Sequence, residues 1–119
     1  MGHVEHDALI VTCWDDQQIR DTHALAMGTS ADHLVTPIVS STINGDHSFA
    51  VLSCGSKSGW QAKRQHTAAL ESIVKWMDAQ RNEDGSSALE WVWVCFGNDM
   101  EGEVTTRNSS ENHYYPETT

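Results

Sequence analysis

The dipeptide Asn44-Gly45, inside "VTPIVSSTINGDHSFAVLSCG", constrains this chain more than any other local feature. Strand-like runs flank it on both sides. Asn-Gly between two such runs favours a two-residue type I′ hairpin turn, whose two central residues both need positive φ. That turn predicts a register in which Ile43 faces Asp46, Ser40 faces Phe49 and Ile38 faces Val51. Pro37 has no N–H to give to a ladder, so the first arm belongs at a sheet edge and the second, ending near Cys54, lies inside.

The rest of the chain supplies partners for the hairpin. "ALIVTCW", Ala8 to Trp14, is apolar on both alternations, as a strand buried on two faces would be. In "DDQQIRDTHALAMG", Asp15 and Gln18 have capping-box spacing, Ile19, His23 and Ala26 or Met27 recur at helical spacing, and Gly28 stands where the helix should end. "SKSGWQAKRQHTAALESIVKWMDAQR" repeats the capping spacing with Ser58 and Gln61. It also sets His66, Ala69, Ile73, Trp76 or Met77, and Gln80 on one stripe. "ALEWVWVCF" reads as a fourth strand, and "GNDMEGEVTTR" has room for a short fifth. The order β, α, β, β, α, β predicts an α+β, ferredoxin-like sandwich: an antiparallel sheet with both helices on one face. A length of 119 residues fits one domain, expected over 1–107 with 108–119 as a tail.

Strand alternation puts Trp91, Trp93 and Cys95 on one face of the fourth strand and Val92, Val94 and Phe96 on the other. If the indoles lie on the open side, they need a cover: the tail with Tyr114 and Tyr115, a second copy of the chain as a homodimer, or a partner protein. Base stacking on the pair is disfavoured, because the strand carries Glu90 and leads into Asp99, Glu101 and Glu103.

Charge narrows the partner. The net charge is −10, and residues 1–46 and 82–119 each hold one base, against seven and eight acids. Such a balance repels phosphate backbones and favours basic partners, so direct nucleic-acid binding is not expected. No apolar run reaches membrane-spanning length and "MGHVEHDALIV" has no basic leader region, so the expectation is a cytoplasmic chain. Cys13, Cys54 and Cys95 form no C-x-x-C pair and read as small hydrophobes in a reducing compartment.

"STINGDHSFAVLSCGSKSGW" and "EDGSSALEWVWVCFGND" resemble a family of small uncharacterised proteins of bacteriophages and related mobile elements, over roughly residues 8–107. The shared pattern is "ING" followed by "SF", then "GSK-x-GW", then "EDGSS-x-L-x-WV". In this chain it falls on Asn44, Gly45, Ser48, Phe49, Gly55, Ser56, Lys57, Gly59, Trp60, Glu83 to Ser87, Leu89, Trp91 and Val92. The resemblance implies phage origin, hence the cytosol of a bacterial host, and implies no reaction.

Several residues invite chemistry. "CGSKSGW" has glycines, Lys57 and a helix start, and with Lys63 and Arg64 would make an anion site, although it lacks the P-loop pattern. Cys54, at a strand end, could meet His47 or His66 near the start of the long helix as a nucleophile with its base. His3, Glu5 and His6 form at most a loose metal chelate, and no motif asks for a resident metal or cofactor. The leading expectation is therefore a non-enzymatic phage protein that binds a host protein, most concretely as an inhibitor of a nucleic-acid-processing or antiviral defence complex. Trp91, Trp93, Glu90, Asp99, Glu101 and Glu103 would then form the contact. The alternative is a small nucleotide-binding or hydrolytic protein with its site at the Cys54–His66 strand-to-helix junction.

Overall fold

The computed structural model describes residues 4–57 and 59–97, and the strand backbone of 104–109. Its elements run β1 (Glu5–Cys13), α1 (Asp16–Met27), a 3₁₀ turn (Asp32–Leu34), β2 (Val39–Ser40), β3 (His47–Val51), α2 (Gln61–Asp78), β4 (Leu89–Gly97) and β5 (Val104–Ser109). The strands form one sheet in the order β2-β3-β1-β4-β5, antiparallel at every step. The α1 and α2 helices pack on each other, and their buried residues join one core with Leu9, Val11, Phe49, Val51, Leu89, Trp91 and Trp93. The chain is thus α+β, with an antiparallel sheet and two helices, compatible with a small ferredoxin-like fold. Among the described residues, no helix is long and apolar enough to cross a membrane.

Local sequence accounts for most of the boundaries. The Asp15 carboxylate accepts from the Gln17 and Gln18 N–H groups and starts α1, and Ile19, Thr22 and Ala26 face inward at helical spacing. In "EDGSS" the Asp84 carboxylate accepts from the Ser86 N–H and hydroxyl, which hold it below its ordinary value, and Gly85 supplies a φ of 87°. That motif is a turn delivering the chain into β4. At α2 the cap position is Trp60, whose side chain makes no capping bond. The expected Ser58–Gln61 box rests on Ser58, which lies outside the described residues.

The hairpin differs from expectation in register. Asn44 and Gly45 both have positive φ, 70° and 71°. Yet Ser40 pairs with His47 and Val39 with Ser48, and the Ser41 N–H donates to the Asp46 carbonyl at 2.8 Å. Residues 42–45 thus form a longer loop, stabilised by the Ser41 hydroxyl donating to the Ile43 carbonyl at 2.6 Å. The slip is two residues, so every side chain keeps its face. β2 is the sheet edge and β3 the inner strand, as Pro37 requires. At the other edge β5 carries the sheet through Asn108 and Ser109, past the expected domain end at 107.

Candidate functional site

The central correction concerns the tryptophans. The inward residues of β1 are Asp7, Leu9, Val11 and Cys13, and the β1–β4 register aligns Leu9 with Trp93 and Val11 with Trp91. Directly opposed residues share a face, so both indoles lie under the helices, 8% and 6% exposed. They are core residues, not an open platform, and Trp93→Ala would unmake packing rather than a surface contact. Glu90 is exposed, while Asp99, Glu101 and Glu103 lie outside the described residues.

A polar cluster that sequence reading missed is buried with the tryptophans. Asp7, 1% exposed, forms a close ion pair with Lys63 through Oδ2, and its Oδ1 accepts the Trp93 indole N–H at 3.0 Å. The Lys63 ammonium also donates to the Glu5 carbonyl at 2.8 Å. One turn further along α2, His66 Nε2 lies 3.1 Å from the Asp7 carbonyl oxygen. Since a carbonyl can only accept, Nε2 carries the proton and Nδ1 is left with its lone pair. Among the described residues, no group donates to Nδ1. Burial holds the imidazole below its ordinary value, with the bond to the Asp7 carbonyl acting against it and the Lys63 charge acting in the same direction. An unanswered buried acceptor costs about 1–3 kcal/mol.

This cluster removes the expected anion site. Lys63 points inward to Asp7, the Lys57 ammonium sits 5.6 Å over the Trp60 ring, and Arg64 donates to the Gly59 carbonyl at 2.6 Å. Each of the three cations is engaged by a different group of the protein. Lys63 was legible as inward-facing, because it stands three residues before His66 and seven before Leu70 on the buried stripe of α2.

Cys54 and His66 do come together, lining one cavity of about 170 Å³ with His33, Leu34, Ser56 and Ala62. Cys54 is half-buried, whereas Cys13 and Cys95 are buried in the sheet, and burial pushes the Cys13 thiol up. His47 lies elsewhere: its Nδ1 pairs with the Ser40 hydroxyl at 3.0 Å, and its Nε2 is 3.9 Å from Asp16. The histidines do not collect, and no group of three or more metal-ligating side chains is gathered among the described residues.

The helix-free side of the sheet carries the other alternation. Ile10, 45% exposed, and Phe96, 39% exposed, lie there with half-buried Ala8, Val92 and Val94. A shallow depression runs between Ile10, Thr12, Glu90 and Val92. A comparison of the chain with models of protein families, with curated proteins and with solved structures found no match.

Proposed function

We propose that this chain is a protein-binding module that docks a cationic partner on the helix-free face of its sheet. The observation that carries the reading is the apolar stripe of Ala8, Ile10, Val92, Val94 and Phe96 on that face, with Glu90 beside it. Apolar strips with a charged rim are the form protein interfaces take, and a net charge of −10 steers basic surfaces toward this one. The scaffold behind it we read as the ferredoxin-like βαββαβ sandwich, a reading supported by β1 lying between β3 and β4. The finer identity rests on the phage-family resemblance together with the acidity. It is a bacteriophage protein acting in the host cytosol on a host protein with a basic nucleic-acid-binding surface, and so inhibiting a nucleic-acid-processing or antiviral defence complex. The contact residues move from the tryptophans to the opposite alternation of the same strand.

A photo-reactive phenylalanine analogue at position 96, in the full chain expressed in host cells, tests this. The expected product is a cross-link to a basic protein, weakened by salt and lost in an Ile10→Glu background. Cross-links confined to the chain's own C-terminal segment, or to a second copy, would show that the face is covered by the tail or by a homodimer and overturn the reading.

A further inference from the structure

Cross-strand pairing sets Thr12 opposite Glu90 and Ile10 opposite Val92, so these four side chains share the helix-free face of the sheet. With Trp91 between Glu90 and Val92, they line the depression on that face, a space of about 360 Å³ open to solvent. Ile10 and Val92 give it apolar wall, and the Thr12 hydroxyl is engaged by the Ser48 hydroxyl at 2.8 Å. Glu90 is its one charged group. Among the described residues, neither an ion pair nor a side-chain hydrogen bond holds that carboxylate. The outward positions of β1 and β3, from His6 to Thr12 and from Ser48 to Ala50, supply no lysine or arginine. Burial first, and then the charges of Asp15, Asp46 and Glu90, push the Cys13 thiol up, with the Asp15 backbone bond acting against them. That end of the sheet therefore lies in a negative field.

Resting on the reading of the helix-free face as a docking surface, we propose that its depression seats one arginine side chain of the partner, with the guanidinium on the Glu90 carboxylate and the stem along Ile10 and Val92. The walls decide between arginine and lysine. A guanidinium is planar and weakly hydrated, so it lies against aliphatic side chains at little loss of solvation, and its fork matches both oxygens of a carboxylate. An ammonium is compact and strongly hydrated, and at an open site with apolar walls it keeps its water instead.

Hexa-arginine, hexa-lysine and hexa-citrulline, titrated into the isotope-labelled full-length chain and followed by its amide NMR signals, test this. Hexa-arginine is expected to shift the signals of Thr12, Glu90 and Val92 and to bind about threefold or more tighter than hexa-lysine. Hexa-citrulline, which keeps the shape and loses the charge, should leave those signals unmoved. Glu90→Gln should weaken hexa-arginine about three- to fivefold, the size of one exposed ion pair. Glu71→Gln, the same loss of charge at an exposed position of α2, should not. Shifts along Ala8, Val94 and Phe96 that spare Glu90, equal affinities for hexa-arginine and hexa-lysine, or equal losses in Glu90→Gln and Glu71→Gln would each overturn the arginine seat. In any of those cases a salt-sensitive cross-link from position 96 to a basic protein would still carry the docking reading.

Discussion

Replacing Lys63 by Met tests the buried cluster most directly. The substitution keeps the length and apolar stem of the side chain and removes only the ammonium. It takes the Lys63 counter-charge away from the Asp7 carboxylate, 1% exposed, whose Oδ1 accepts the Trp93 indole N–H at 3.0 Å. Breaking a buried ion pair from one side destabilises by about 3–5 kcal/mol, because the remaining charge is stranded in a poorly polarisable interior. Against a typical total of about 5–15 kcal/mol that is a large fraction, and for a domain of this size it lowers Tm by roughly 10–20 °C. Replacing both partners, as Asp7→Leu with Lys63→Met, removes the stranded charge and leaves the Trp93 N–H without its acceptor. The double variant should therefore lie well short of the sum of the single losses. Urea unfolding of the four proteins measures the cycle, with unchanged m-values confirming a common reference. A Lys63→Met chain within about 0.5 kcal/mol of wild type, the range of ordinary surface changes, would refute the buried pair.

Trp93→Ala should cost about 3–5 kcal/mol, whereas Phe96→Ser, on the open face of the same strand, should cost about 1 kcal/mol or less; thermal melts of the two variants check the face assignment. Gly45→Val should lose on the order of 1–3 kcal/mol, through φ alone, since nothing lies within 4 Å of the added Cβ, while Asn44→Gly should be mild by the same measurement. The fold holds His66 below its ordinary value of 6.5, so as pH falls the unfolded chain takes up that proton before the folded one does. Its contribution to stability is fully present above about 6.5 and is lost as pH falls through the folded value. His66→Gln should flatten that part of a urea-midpoint profile taken from neutral to mildly acidic pH.

Much of this protein was legible in its sequence because the signals are local. Period-two and period-3.6 patterns marked out the strands and helices of an α+β chain, Asp15 marked the start of α1, and Pro37 marked the edge strand. The stripe through His66, Ala69, Ile73 and Met77 is the buried face of α2. The loop length at the hairpin was not local in this sense. Asn44 and Gly45 took the expected φ values, but the pairing of Ser40 with His47 depends on hydrogen bonds across the hairpin as well as on the turn dipeptide.

What only the tertiary structure decided was which side of β4 faces the helices. Both alternations of "EWVWV" are rich in apolar residues, so hydrophobicity alone leaves the choice open. The register with β1 closes it. Asp7 shares a face with Leu9, Val11 and Cys13, and in the cross-strand pairing of β1 with β4 that face continues through Trp91 and Trp93. A buried indole N–H needs an acceptor and a buried carboxylate needs donors and a cation. Asp7, Trp93 and Lys63 answer one another from three elements separated by as many as 86 positions in the chain, a distance over which no sequence periodicity reaches.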